Sequence, residues 1–275
     1  LYCVRQARRR FYGDNPAGIE LYGYLNEIDA VTPRTLRTEY DRILSQASIE
    51  VMVQGADAEP VARRLLDRLD AIRRTPAQIT RLTPVPAAPV RHYTEEIPGL
   101  TQGKLCMLFT RDGAEDLPSI HVLRMAMGIF GGTATSRLFR NVREKQSLCY
   151  YCVPSALRAA GGMMVDSGVE SANIDKAEAA ILKELSDLCA RPVDGEEMEQ
   201  CRRTLLAGID AVGDSLSGLA SWYYGQIMRG EPLVDPEQGK AQMLAVTPQQ
   251  VQEILQSYSY SVCYALTGRG EEADA

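Results

Sequence analysis

The sequence predicts an α+β protein in which a mainly antiparallel sheet is packed by helices. Strand-like segments at residues 147–156 and 161–169 follow each other across a short turn, as antiparallel partners do. Long helical segments come after them instead of alternating with them, which argues against a strictly parallel sheet. The chain has 275 residues, 45% of them hydrophobic and 24% charged, so it can form one large or two smaller globular domains.

The composition argues against two classes of partner. A formal net charge of -6 gives no electrostatic reason to expect nucleic acid, because phosphate binding needs a dominant basic surface. The one basic cluster, Arg5 with Arg8, Arg9 and Arg10, is expected to be the exposed face of a short helix, with partner binding as the alternative. The sequence contains no run of about 18 apolar residues that would indicate a membrane helix. We therefore expect neither nucleic acid nor a membrane as partner.

The cysteines indicate a reducing compartment. There are seven, an odd number, and most of them lie among apolar residues, as small buried side chains do. The first twenty residues lack the order of a signal peptide, so a cytoplasmic location is the default expectation. The alternative is a fragment or a processed product that has lost an upstream signal sequence, since the chain begins at Leu1 and not at Met.

Two stretches of the chain resemble each other. Residues 28–55 and 244–268 each contain a Thr-Pro pair that predicts a helix start, then an amphipathic helix, then an apolar strand that a glycine ends. The pairs are Thr32–Pro33 and Thr247–Pro248, and the predicted strands end at Gly55 and Gly268. We expect a duplicated unit of which only the tail of the first copy is present. Convergence of common helix caps is the alternative.

The repeat and a proline-rich segment define the expected domains. Residues 75–90 carry four prolines, so they should form an extended linker. We expect the tail of a first domain at 1–73, the linker at 74–91 and a second domain at 92–275. The other elements predicted from apolar spacing are a helix at 60–72, a strand at 103–110, helices at 118–130 and 133–145, and helices at 174–188 and 195–211 with further helix to 228.

No zinc-peptidase motif is present. Such a motif, His-x-x-Glu-His, needs two histidines on one helix, and the chain has only His92 and His121. His92 opens a stretch that matches the motif except for Glu96 in place of the second histidine. Pro89 and Pro98 leave too few residues there for a helix. We therefore expect His92 to be an ordinary surface histidine and predict no metal ligand in this chain.

Three further chemistries are disfavoured. Cys149 and Cys152 form a C-x-x-C, but in a regular strand these residues face opposite sides, so we expect structural thiols. The glycines within 128–132 do not spell a phosphate-binding loop, and they follow a helix instead of a strand. Ser136 has no partners in the sequence that indicate a nucleophile. We predict no catalytic residue in this chain.

Arg143 and Tyr150 remain as candidate binding residues. Arg143 closes the predicted helix, and Tyr150 lies seven residues later on a strand that folds back beside it. A guanidinium and a phenol brought together can bind the carbonyls or carboxylate of an extended peptide, or stabilise an oxyanion. The alternative is a helix-terminal arginine that satisfies carbonyl groups and a half-buried sheet tyrosine.

Residues 131–151 carry a family resemblance. The pattern GG-x-x-x-SRLF-x-x-VREK-x-x-L-x-YY resembles the signature of the second domain of the M16 (insulinase/pitrilysin-like) metallopeptidase family. The resemblance implies a LuxS/MPP-like metallohydrolase-type domain that is duplicated in the family, with the first copy truncated here. It also implies that Arg143 and Tyr150 contact substrate, while zinc is held by a different domain or subunit.

The resemblance therefore implies a non-catalytic, peptide-binding half of a zinc-dependent peptidase. Its expected partners are a peptide substrate and either a zinc-bearing M16 partner subunit or a missing first domain, with a homodimer as a further option. We expect no cofactor to be bound by this chain. The alternatives are a structural or assembly subunit with no peptidase role and a fragment of a complete enzyme.

Overall fold

The computed structural model describes residues 1–78, 82–111, 118–158 and 161–269. Two compact units divide the chain. The first unit comprises Leu1–Ile19, Leu82–Ile209 and Glu237–Ala275, and the second comprises Glu20–Arg81 and Asp210–Pro236. The domains expected from the sequence, at 1–73 and 92–275, are continuous in the chain, whereas these units are not. That domain division stays a prediction.

A five-stranded mixed sheet forms the first unit. Its strands are β1 (Arg91–Pro98), β2 (Gly103–Arg111), β3 (Cys149–Leu157), β4 (Gly162–Val169) and β5 (Tyr258–Arg269). Their order across the sheet is β1-β5-β2-β4-β3. Only the β1–β5 pair is parallel, and the other three pairs are antiparallel. The predicted α+β class and mainly antiparallel sheet are therefore confirmed.

Helices cover both faces of this sheet. In the described residues the α-helices are α1 (Tyr2–Tyr12), α2 (Pro33–Gln46), α3 (Ala58–Asp70), α4 (Ile120–Met127), α5 (Ile174–Ala190), α6 (Gly195–Asp210), α7 (Leu216–Arg229), α8 (Pro236–Leu244) and α9 (Pro248–Gln256). Helix α1 packs on β2 and β5, and its basic residues are exposed, as predicted. Helices α4, α5 and α9 pack together. Within the described ranges, no helix combines the length and apolar character needed to cross a bilayer.

Strand β2 is the centre of the core. Its residues from Leu105 to Phe109 are fully buried, because helices lie over both faces of the sheet and strands flank both edges of β2. Cys106 and Leu108 pack with Phe11 of α1 on one face. Each buried Leu, Met or Phe stabilises the fold by about 1.5–3 kcal/mol. The sheet therefore holds its two edge strands, β1 and β3, in fixed positions.

The second unit contains α2, α3 and α7. Helix α2 begins as predicted, because the Thr32 hydroxyl accepts the Thr35 N–H and the Thr35 hydroxyl accepts the Thr32 N–H. The same double cap starts α9 at Thr247 in the first unit. The strand predicted to end at Gly55 does not form. A strand needs a neighbour to bind its backbone groups, and no strand lies in the described part of this unit.

The structure describes part of the proline-rich segment, and the linker expected at 74–91 stays a prediction. Residues 75–78 and 82–90 form neither helix nor strand, and residues 79–81 lie outside the described residues. The absence of helix follows from the fixed φ angle of proline and its lack of an N–H group. Val85 of this segment is nevertheless buried with α1 against the sheet.

The helix after β2 ends in a wide turn of π type at Gly128–Gly132, and a second wide helix follows at Leu138–Lys145. Gly131 lets the first turn approach β3 closely. A Cβ atom at this position would lie 2.4 Å from Cδ of Pro154 and 2.9 Å from Cδ1 of Leu138. The backbone there can pack against the rigid proline ring only because no side chain intervenes.

We predict that Gly131→Ala lowers the free energy of unfolding by about 1–3 kcal/mol, because the added methyl overpacks the contact with Pro154. Gly208→Ala is the matched control, since nothing lies within 4 Å of a Cβ atom there. Gly208 lies within α6, so its replacement should stabilise the protein by about 0.5–1 kcal/mol. Urea unfolding followed by circular dichroism measures both changes. Equal stability of the two variants would contradict the close packing at Gly131.

Candidate functional site

A cavity of about 310 Å³ lies where the second wide helix meets β3. Both predicted binding residues line it. The lining residues are Arg143, Glu144, Ser147, Leu148, Cys149, Tyr150 and Glu170. The structure thus brings Arg143 and Tyr150 to one concave surface, as the sequence predicts, while their role in binding stays a prediction.

A tight reversal of the backbone creates this proximity. Ser147 has a φ of 51°, the only positive φ at a residue other than glycine among the described positions. The Leu148 N–H donates to the Val142 carbonyl at 3.1 Å, and the Gln146 side-chain amide donates to the Asn141 carbonyl at 2.9 Å. These bonds satisfy carbonyl groups at the helix end and fold β3 back along it. A serine held in the left-handed region is strained, and such strain is common at functional sites.

Arg143 has an exposed guanidinium. Its side chain is 41% exposed, it lies over the Phe139 ring at 4.7 Å from the centroid, and its Nε is 3.5 Å from Glu144 Oε1. An exposed ion pair of this kind is weak, at about 0–1 kcal/mol. The ring contact orients the cation without using its hydrogen-bond donors. Arg143 can therefore donate to a carbonyl or carboxylate group that enters the cavity.

Tyr150 points outward from β3 and is 54% exposed. Its hydroxyl donates to Glu170 Oε1 at 3.2 Å. This hydrogen bond and the negative charge of Glu170 raise the pKa of the phenol, so it stays protonated at neutral pH. The cavity lining therefore carries two kinds of donor, a protonated phenol and a guanidinium.

A β-bulge changes the expected geometry of the C-x-x-C. The register of β3 against β4 shifts between Cys149 and Tyr151, and the buried side chains of Cys149 and Cys152 interact with each other. The prediction that these two side chains face opposite sides is wrong, because the extra residue of a bulge breaks the alternation of a strand. Gly168 on β4 is the sequence signal for this irregularity: the Tyr151 ring lies over it, and a Cβ atom there would be 2.7 Å from Tyr151 Cε1.

The bulge makes the two thiols unequal. Both are free. Interaction with Cys152, then with Ser167 and with the charge of Arg143, lowers the pKa of the Cys149 thiol against the opposing effect of burial. The pKa of Cys152 is raised well above its usual value by the same thiol pair and by burial. Cys149, which lines the cavity, is thus the more easily ionised of the pair.

Beside the bulge, Tyr151 forms a polar network that the sequence did not indicate. Its hydroxyl donates to Asp166 Oδ2 at 3.0 Å and accepts from Lys104 Nζ at 3.2 Å. Burial and the charge of Asp166 raise the pKa of this phenol. The two tyrosines of the Tyr-Tyr pair therefore differ, since Tyr151 is fixed in the sheet while Tyr150 is exposed at the cavity.

Other residues singled out in the sequence lie away from the cavity lining. His92 lies on β1, which is extended, so Glu96 is about 13 Å further along the strand and cannot complete a zinc motif with it. His121 is buried at the start of α4. The Ser136 hydroxyl is buried and donates to the Thr133 carbonyl at 2.6 Å, so it has a structural role.

Comparison with known proteins identifies the relatives of this chain. The model of the peptidase M16 inactive domain matches residues 30–205, more than half of the chain. The probable inactive metalloprotease YmfF of Bacillus subtilis (strain 168) is 24% identical over 217 residues, which are 78% of this chain and 50% of that protein. The chain thus spans half the length of this curated relative.

Two solved structures share the fold. A conserved protein from Enterococcus faecalis V583 is similar with a TM-score of 0.83 and 23% identity, over 98% of this chain and 64% of that one. The peptidase M16 inactive domain from Pseudomonas fluorescens is similar with a TM-score of 0.78 and 18% identity, over 98% and 65%. At these identities the likeness shows the fold alone.

We predict that the alkylation rate of Cys149 rises at a lower pH than that of an ordinary cysteine, because its thiolate is stabilised. Replacing Cys152 by alanine removes the strongest stabilising interaction, and Arg143→Ala removes a positive charge, so each should raise the pH midpoint. Mass spectrometry of iodoacetamide-treated protein across a pH series measures the midpoint. Cys189, whose pKa is raised by burial, is the control within each digest. A midpoint for Cys149 at or above that of Cys189 would contradict the geometry.

Proposed function

We propose that this chain, which belongs to the M16 peptidase family as an inactive domain, is the non-catalytic, peptide-binding half of a zinc-dependent peptidase. In this proposal Arg143 and Tyr150 bind substrate while another domain or subunit holds the catalytic zinc. The observation that carries the proposal is that both side chains line one exposed cavity of about 310 Å³.

The chemistry of the cavity suits an extended peptide. Peptide carbonyls and a terminal carboxylate are hydrogen-bond acceptors, and the guanidinium and the protonated phenol are donors. A peptide carbonyl that accepts from Tyr150 would replace the bond of that hydroxyl to Glu170, which is exposed and weak. The same two donors would stabilise a carbonyl oxygen that gains negative charge during hydrolysis, and the domain or subunit that holds zinc would activate the attacking water.

The second unit supports the need for a partner. Helix α2 is amphipathic, as the sequence predicts, and on its apolar side Leu36, Tyr40 and Ile43 are 63%, 54% and 46% exposed. Exposed apolar surface of this kind marks an interaction site. We infer that a zinc-bearing M16 domain or subunit covers it. We also propose that residues 92–275 form a LuxS/MPP-like domain and that residues 1–73 are the tail of a first copy of it. The matching capping boxes at the starts of α2 and α9 support this duplication.

A structural or assembly subunit is the second candidate function. An uncovered apolar side on α2 is equally expected of a subunit that only assembles with a partner. The two functions give the cavity different roles, because an assembly subunit does not need exposed hydrogen-bond donors there. Seven free cysteines in the described residues support a reducing compartment for either function.

We predict that peptide turnover, measured after reconstitution with a zinc-bearing M16 partner, falls by about tenfold or more in Arg143→Ala and in Tyr150→Phe. A hydrogen bond to a charged group contributes about 1.5–3 kcal/mol, and about 1.4 kcal/mol is tenfold. The values of kcat/KM for the variants, with a fluorogenic peptide, measure the effect. The chain alone, with zinc added, should not cleave the peptide.

Two matched variants control this experiment. Arg203→Ala removes an exposed arginine from α6, and Tyr224→Phe removes an exposed hydroxyl from α7, and neither residue lines the cavity. Both controls should keep full turnover. Unchanged turnover in Arg143→Ala and Tyr150→Phe, with intact assembly, would favour the structural subunit and reject the peptide-binding role.

A further inference from the structure

Three side chains with metal-binding atoms meet where β1, β5 and α5 come together. They are His92, Glu178 and Cys263, and their ligand atoms all lie within 4.8 Å of one another. His92 and Cys263 are direct register partners on the parallel strands β1 and β5. Glu178 reaches them from α5, with Oε1 2.9 Å from His92 Nε2 and Oε2 3.4 Å from Cys263 Sγ.

The surroundings of this cluster hold the carboxylate in place. The Tyr260 hydroxyl donates to Glu178 Oε1 at 2.7 Å, and the Tyr260 ring makes an edge contact with the His92 ring at 6.2 Å between centroids. The Glu178 side chain is only 15% exposed and Cys263 is buried, whereas the His92 side chain is 58% exposed. An ion can therefore enter from solvent past His92 and meet ligands that are already oriented.

We propose that His92, Glu178 and Cys263 form a zinc-binding site. Imidazole nitrogen, carboxylate oxygen and thiolate sulfur are the three ligand types that zinc takes in proteins. A thiolate and an imidazole disfavour calcium and magnesium, which prefer oxygen ligands. Three protein ligands leave a fourth tetrahedral position for water. Binding forms a bond from sulfur to zinc and releases the Cys263 proton to solvent.

The distances fit this ion after a small movement. Zinc bonds of about 2.0–2.3 Å in a tetrahedron place ligand atoms about 3.3–3.8 Å apart. The Glu178–Cys263 distance of 3.4 Å is within that range, and the His92–Glu178 distance of 2.9 Å is slightly short of it. These two distances involve different oxygens of Glu178, so a single coordinating oxygen would have to approach one of its two neighbours. The imidazole and the Cys263 sulfur, at most 4.8 Å apart, would also have to approach each other. The exposed side chain on the edge strand, His92, can make that approach by rotating.

This site is separate from the peptide cavity. The cavity lies beside β3, and the cluster lies beside β1, at the opposite edge of the five-stranded sheet. Four strand spacings separate the two edges, about 19 Å. Zinc here would tie edge strand β1 to β5 and α5. The site does not depend on the proposed peptide binding, and it revises the expectation that the chain binds no metal.

The test is a titration of the metal-free protein with Co²⁺ and Zn²⁺. Cobalt bound at this site should give a thiolate-to-cobalt charge-transfer absorption that saturates at one equivalent and that zinc displaces. The band should disappear in Cys263→Ser and persist in Cys189→Ser and Cys152→Ser. His92→Ala and Glu178→Gln should lose zinc binding in competition with a chromophoric chelator. Tyr260→Phe, which removes the hydrogen bond to Glu178, should weaken zinc binding about 10- to 100-fold.

Two results would overturn the proposal. One is the absence of the charge-transfer band at one equivalent of cobalt in the unaltered chain. The other is a band that persists in Cys263→Ser, which places the metal on another thiol. Because His92 is exposed on an edge strand, His92→Ala should fold even if a change at buried Cys263 does not. Turnover with the zinc-bearing partner should be unchanged in His92→Ala, so failure of this site and failure of the peptide-binding role are distinguishable.

Discussion

Burial of β2 on both faces and along both edges is the constraint on which the first unit depends. Leu105, Met107 and Phe109 are completely buried, as are the intervening Cys106 and Leu108. A strand in this position resists a slip of one residue. Such a slip would exchange the side chains on its two faces and disrupt their packing against the helices on each side. The neighbours β4 and β5 are thereby held in register. The edge strands β3 and β1 are held in turn by β4 and β5.

Both proposed sites lie where this rigid arrangement meets solvent. At one edge, the reversal at Ser147 and the bulge at Cys149 rotate Tyr150 outward beside Arg143. At the other edge, the parallel pairing of β1 with β5 places His92 beside Cys263. In both places a backbone feature of the sheet, and not a flexible loop, determines which side chains meet. Sites on such supports keep their geometry without a bound ligand.

Local signals in the sequence were sufficient for part of this structure. The Thr-Pro pairs predicted the starts of α2 and α9 because a hydroxyl cap acts within one turn of helix. The short segment between Arg143 and Tyr150 predicted that the two would lie close together. The strand expected before Gly55 failed, since strand formation depends on a partner that local sequence does not specify. The bulge was missed because it is a feature of the pairing of β3 with β4, which local sequence does not specify.

The His92 cluster shows the limit of local pattern most clearly. Glu178 is 86 residues from His92 and 85 from Cys263, so only the assembled sheet and α5 bring the three together. Likewise, the family resemblance predicted which two residues would contact substrate, but not the hydrogen bond of Tyr150 to Glu170. Contacts made through tertiary structure carry no periodicity that a sequence reveals.

Photo-crosslinking tests most directly whether the Arg143 and Tyr150 cavity is a peptide-binding site. An unfolded peptide that carries a diazirine group is irradiated with the purified chain, and mass spectrometry maps the attachment points. Our account predicts crosslinks concentrated at residues 143–150 and at Glu170, and their loss in Arg143→Ala. Crosslinks that fall elsewhere on the chain, or that are unchanged in Arg143→Ala, would contradict it.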